Sequence, residues 1–109
     1  MGNIDFQPVL NTLKEEVINL AKTDVQNYVN EAKADGLKLV DSLKTDIQSW
    51  GIQLAEGKMS ADDVEFLVMA KKELIEMNAL KQKGLALIKV DEFKNSILQL
   101  VVKTLVGLI

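Results

Sequence analysis

An 11-residue repeat constrains this chain more than any other feature. The segment that begins at Ala21 returns in similar form at Ala32 and again at Leu43, each time with lysine in its second position and aspartate in its fourth. Eleven residues make three helical turns at about 3.67 residues per turn, so a position that recurs at this step stays on one face of a helix. The repeat therefore predicts helices with a continuous apolar stripe.

One column of the repeat carries the only tyrosine and the only tryptophan of the chain. Val17, Tyr28, Leu39 and Trp50 follow one another at the 11-residue step. Because they share a face with the rest of the apolar stripe, we expect Tyr28, Leu39 and Trp50 to be core or interface residues.

The spacing of apolar residues predicts one long helix over residues 7–56. Pro8 suits its first turn, where a missing N–H donor costs nothing. The sequence allows a bend at 35–36, because Asp-Gly is typical of turns. The apolar phase nevertheless passes through Gly36 without a slip, and Gly36 falls on the apolar face. We therefore expect a neighbouring helix to approach closely at Gly36.

A second helix follows after a short loop. Ser60 and Asp63 stand three residues apart, in the arrangement of a capping box at a helix start. They predict a loop at 57–60 and a second helix over 61–107, with a break allowed at 84–91. Since the loop is short, the second helix must run back antiparallel to the first. The predicted fold is all-α: an antiparallel hairpin of two long helices in a single domain, 1–109.

The last segment, residues 91–109, is apolar around most of its circumference. A helix of this kind is buried on several sides, and one partner helix cannot cover it. We expect its core or interface residues to be Ile97, Leu98, Val101, Val102, Leu105 and Val106. Two arrangements would cover them. A homodimer, which we favour, would form a four-helix bundle; a monomer that bends at Gly36 and Gly84 would close a compact four-helix bundle.

Composition narrows the function classes. The net charge is −3, and all 13 basic residues are lysine. Without a guanidinium group that can bind phosphate at two points, we expect no nucleic-acid partner. The chain has no histidine and no cysteine, so we expect no catalytic residues, no metal site and no cofactor. Its first residues lack the basic start and apolar run of a signal peptide, so a cytoplasmic location is expected.

Two kinds of binding remain after these exclusions. The sequence favours a non-enzymatic structural or interaction protein that self-associates or binds another helical protein. The alternative is a membrane-surface protein, because the 11-residue period over 21–53 resembles that of apolipoproteins, synucleins and group 3 late-embryogenesis-abundant proteins, whose helices lie on lipid. One edge of the stripe carries lysines and the other aspartates, whereas a lipid-surface helix is best served by lysines on both edges. The edges therefore favour a protein neighbour.

Overall fold

The described part of the chain, residues 5–108 of a computed structural model, is helical and contains no strand. The first four residues and Ile109, which the sequence assigns to the same domain, lie outside it. The prediction of an all-α protein is confirmed. The α-helices are α1 (Phe6–Asp24), α2 (Val29–Ser42), α3 (Lys44–Ala55), α4 (Ala61–Ala70), α5 (Asn78–Lys83) and α6 (Leu87–Val106), with 3₁₀ turns at Gln26–Tyr28 and Lys72–Leu74.

The helix predicted over 7–56 is interrupted at Val25, which leaves helical geometry with φ −133° and ψ 59°. After the 3₁₀ turn, α2 runs back antiparallel to α1, and Lys14 Nζ lies 2.8 Å from Asp41 Oδ1. The prediction of an uninterrupted helix is therefore wrong. The repeat sets which face is apolar, but it does not decide whether successive segments continue in line or fold face to face. Folding back covers the stripe of α1 with that of α2.

Gly36 lies inside α2, which passes through it without a turn. A Cβ atom added there would lie 2.5 Å from Val17 Cγ1 and 3.3 Å from Ile97 Cδ1. The close approach predicted at Gly36 is thus confirmed. The alternative that placed the chain reversal at Gly36 is wrong, because the chain reverses near Val25, one repeat earlier.

The second half begins as its capping residues predict. Asp63 donates its backbone N–H to Ser60 Oγ at 3.1 Å, and Ser60 donates its own N–H to Asp63 Oδ2 at 3.0 Å. These bonds satisfy backbone donors that every helix start leaves without a helical partner. They fix the point at which the chain turns back after α3.

The helix predicted over 61–107 is also divided. It leaves helical geometry after the 3₁₀ turn Lys72–Leu74, where Ile75 is extended with φ −99° and ψ 128°. Gly84, at φ +97°, ends α5 in a left-handed conformation that favours glycine. The predicted break at 84–91 includes this second division, since α6 begins at Leu87.

These interruptions make the body short. Its principal-axis extents are 47 × 24 × 19 Å, whereas a straight helix of fifty residues would be about 75 Å long at 1.5 Å per residue. The prediction of a hairpin of two long helices is therefore wrong, because both predicted helices are divided into shorter ones. Helix α6 packs against α1, α3 and α4, so it is the element that the two halves of the chain share.

Candidate interaction surface

The residues that the sequence assigned to a core or interface lie mainly within the chain's own core. Tyr28 and Val106 are half-buried. The others are buried: Leu39, Trp50, Ile97, Leu98, Val101, Val102 and Leu105. The apolar residues of α6 that suggested a dimer are thus covered by α1, α3 and α4. Self-association stays a prediction, without the exposed helix that motivated it.

The outer face of α4 exposes a large aromatic side chain. Val64 and Val68 point inward and are fully buried, while Phe66 is 74% exposed. A position two residues from an inward-facing one lies about 200° round the helix, so burying both valines forces Phe66 outward. Met69 and Ala70 extend the apolar surface one turn further along the same side.

Carboxylates border this aromatic side chain. Asp62 and Glu65 line one open groove together with Phe66, Met69 and Ala70. Both carboxylates are exposed, and the described residues that line the groove include no lysine. We call this set of five residues the Phe66 surface. It combines an apolar centre with a negative border.

The same helix start carries a third carboxylate with a different task. The backbone N–H of Ser60, and then its hydroxyl, lower the pKa of the Asp63 carboxyl below its ordinary value of 3.8. The Asp63 carboxylate therefore remains ionised, and it accepts the hydrogen bond from Ser60 that caps the helix. Asp62 and Glu65 are the carboxylates that face outward beside Phe66.

A second exposed apolar site lies at the turn between α5 and α6. Leu87 and Ile88 are 70% and 69% exposed, although they begin a helix whose later residues are largely buried. Lys83 precedes the turn and Lys89 follows it, and both are exposed. We call residues 84–88 the α5–α6 tip. The charged residues nearest to it in sequence are lysines, in contrast to the carboxylates of the Phe66 surface.

A polar clamp holds the interrupted segment between α4 and α5. Asp35 is buried in α2, and its two carboxylate oxygens accept the backbone N–H groups of Ala79 at 3.1 Å and Leu80 at 2.8 Å. These are donors of the first turn of α5, which no side chain of its own N-cap residue binds. A carboxylate here satisfies them and complements the positive end of the helix.

The other side of the interruption is held by a cation. Lys94, on α6, donates from Nζ to the backbone oxygens of Lys72 at 3.1 Å and Ile75 at 2.7 Å. Carbonyls at the end of a helical turn carry partial negative charge, so an ammonium group stabilises them. Asp35 and Lys94 thus bind opposite ends of one break, from two different helices.

Sequence reasoning missed both Phe66 and the clamp. Phe66 could have been found, because it is an aromatic residue out of phase with Val64 and Val68. Asp35 could not: the repeat makes it equivalent to Asp24 and Asp46. Its task depends on where α5 begins, and no local pattern encodes that.

The described residues, 5–108, contain no cluster of acidic side chains that could hold a metal ion. Within the same range, every helix is too short or too polar to cross a membrane. The chain matches no family model, no curated protein and no solved structure.

Proposed function

We propose that this chain is a non-enzymatic interaction module, a helical bundle that binds a partner helix through the Phe66 surface. The bundle has four antiparallel segments: α1, α2 with α3, α4 with α5, and α6. Its antiparallel order is supported by the ion pairs Lys14–Asp41 and Lys71–Asp46 and by the pair Lys72–Asp91. Each joins segments that follow or face one another in opposite directions.

The observation that carries the proposal is the exposure of Phe66. The helix that bears it already buries Val64 and Val68, so Phe66 is not needed to attach α4 to the body. An aromatic side chain that moves from water into an interface is a frequent source of binding energy, with losses of about 2 kcal/mol or more on truncation. Phe66 is continuous with Met69 and Ala70, and contiguous exposed apolar patches with a polar rim mark interaction sites.

The border charges indicate the chemistry of the partner. Asp62 and Glu65 favour a partner whose apolar contact residues are flanked by lysine or arginine. An amphipathic helix offers such residues on one face and fits against an exposed helix by its i, i+3, i+4 positions. A two-fold pair centred on Phe66 would bring Asp62 and Glu65 of both copies into one interface, without a basic residue of that surface to balance them. The charges therefore favour a basic partner helix over a second copy.

Two synthetic peptides test the proposal. One is an 18-residue amphipathic helix with leucines on one face and lysines at its edges; the other has glutamate in place of each lysine. The basic peptide should bind, shift the amide NMR signals of α4 and weaken with added salt. Phe66→Ser should weaken binding by about tenfold or more.

Leu87→Ser is the matched control, because Leu87 is as exposed as Phe66 but lies at the α5–α6 tip. It should leave the affinity for the basic peptide unchanged. Equal binding of both peptides, or equal losses in Phe66→Ser and Leu87→Ser, would contradict the proposal.

A further inference from the structure

The α5–α6 tip is exposed to solvent. Gly84 has φ +97°, and a Cβ atom added there would find no neighbour within 4 Å. Leu87 and Ile88 follow within one helical turn and remain exposed, while Val90 and Phe93, further along α6, are buried. The tip is therefore an aliphatic surface that is open to solvent.

The segment that contains the tip is basic, in contrast to the whole chain, and Asp91, one turn further along α6, is paired with Lys72. The chain has a net charge of −3, yet residues 77–90 contain three lysines and no acidic residue. Lys81, Lys83 and Lys89 are all exposed. Lys89 Nζ lies 3.5 Å from Glu92 Oε1, and Asp24 lines the same groove as these two residues. Lys81 and Lys83 therefore supply most of the local positive charge.

We propose that the α5–α6 tip is a contact site for an anionic lipid surface. Leu87 and Ile88 would enter the boundary between headgroups and acyl chains, while Lys81 and Lys83 would lie among the anionic headgroups. The apolar stripe of the 11-residue repeat plays no part, because most of that stripe is buried in the chain's own core. The proposal is independent of the Phe66 surface, whose border has the opposite charge.

A fluorescent label at the tip tests this directly. The chain has no cysteine, so Ile88→Cys gives a single attachment site for a polarity-sensitive dye, and Phe66→Cys gives an equally exposed control. The probe is vesicles of phosphatidylcholine with 30% phosphatidylserine, compared with vesicles of phosphatidylcholine alone. The dye at position 88 should shift to the blue on the anionic vesicles, and the dye at position 66 should not.

Vesicle flotation of unlabelled variants separates the two parts of the contact. Leu87→Ser with Ile88→Ser should lower binding by about tenfold or more, and Lys81→Gln with Lys83→Gln by about tenfold. Phe66→Ser and the charge-matched pair Lys22→Gln with Lys44→Gln are the controls and should bind like the wild type. All these positions are exposed, so each variant should keep its fold, which circular dichroism checks.

Three results would overturn the proposal. The first is the absence of a blue shift at position 88 on either kind of vesicle, which would leave the tip to a protein partner. The second is binding that does not depend on phosphatidylserine. The third is an equal loss in the tip variants and their controls, which would assign lipid binding to another surface.

Discussion

The first long helical segment is interrupted at residues 25–28 and the second at residues 71–77, and these two interruptions differ in kind. The first, at residues 25–28, reverses the chain and is held by apolar burial: Val25 is buried, and no side chain caps either helix end there. The second, at residues 71–77, offsets the chain without reversing it. It is held by Asp35 and Lys94 from other helices.

This difference follows from what each break leaves uncovered. A reversal places one apolar stripe against another, and its helix ends lie at the end of the body, where water can satisfy them. An offset leaves helix ends beside other helices, where backbone groups without partners are costly. Side chains of those helices must then supply the bonds. Apolar burial can therefore hold a reversal without charged side chains, whereas an offset requires charged residues placed elsewhere.

The largest expected effect concerns α6, against which both halves pack. Val101 is fully buried, so Val101→Lys would place a cation in the core and should unfold the chain, at a cost of about 3–5 kcal/mol. Val102 is 8% exposed, so a lysine there can extend toward water, and Val102→Lys should lower the melting temperature by less.

Sedimentation of Val102→Lys tests whether α6 packs within one chain or between two copies. Val102→Lys should not change the mass of the folded species, because Val102 is buried against the chain's own helices. If Val102→Lys instead converted a wild-type dimer into a folded monomer, α6 would be an interface between copies.

The second largest effect is expected at the polar clamp formed by Asp35 and Lys94. Asp24 and Asp46 occupy the same position of the repeat as Asp35, so they serve as controls. Asp35→Ala would leave the N–H groups of Ala79 and Leu80 without their acceptor and should cost about 3 kcal/mol in the free energy of unfolding. Asp46→Ala removes a partly exposed ion pair with Lys71 and should cost at most about 1 kcal/mol.

Asp24→Ala, the third member of the same column, should have the smallest effect, since Asp24 is exposed. Urea denaturation of the three variants measures the order. Equal losses in all three would mean that the break at 71–77 does not depend on Asp35.

The third largest effect is expected where α2 packs against α1 after the reversal at residues 25–28. Gly36→Ala adds a Cβ atom 2.5 Å from Val17 Cγ1, and overpacking of this kind costs about 1–3 kcal/mol. The higher helix propensity of alanine returns up to about 1 kcal/mol, so a net loss of about 1 kcal/mol is expected.

Val17→Ala makes room for the added atom, so the double variant should be more stable than the sum of the single losses predicts. Strict additivity in a thermal or urea denaturation cycle would indicate that α1 does not fold back on α2 at this point.

The smallest effect concerns the cap of α4, which, unlike the clamp, is local in sequence. Because the pKa of Asp63 is lowered in the folded chain, its ionised form stabilises the fold. This contribution is fully present above the unfolded value of 3.8 and is lost as the pH falls through the folded pKa. Asp63→Asn should therefore differ from the wild type at pH 6 and converge with it at the acid end.

Asp62→Asn removes the adjacent carboxylate without the contact to Ser60 and serves as the control. Thermal denaturation as a function of pH measures both variants. A wild-type advantage over Asp63→Asn that grew on acidification would have the wrong sign for this cap.

The features of the fold that could be predicted from the sequence are those that depend on local patterns. Ser60 and Asp63 specify a helix start within four residues, and Gly36 in phase with an apolar stripe indicates close packing. The place of the reversal could not be predicted, because Val25 is a β-branched residue inside the stripe, and neither glycine nor proline marks the turn. The offset at residues 71–77 could not be predicted either. The hydrogen bond that holds it joins Asp35 and Leu80, which are separated by 45 residues.

The two candidate binding sites also differ in whether a local pattern of the sequence could reveal them. Phe66 was accessible in principle, as an aromatic residue opposite Val64 and Val68 on one helix. The α5–α6 tip was not, because Leu87 and Ile88 look like ordinary members of an apolar segment. Only the tertiary packing of α6 decides that these two remain outside while Val90 and Phe93 are buried.

The reversal near Val25 and the later turns fold one chain into a short body. Small-angle X-ray scattering, with the mass determined on the same sample, measures both the length and the number of chains. We expect a species of 12.1 kDa with a longest dimension near 47 Å and a Cα radius of gyration of 14.1 Å, the two dimensions slightly increased by the hydration layer. A particle about 75 Å long, the length of two straight antiparallel helices, would contradict it.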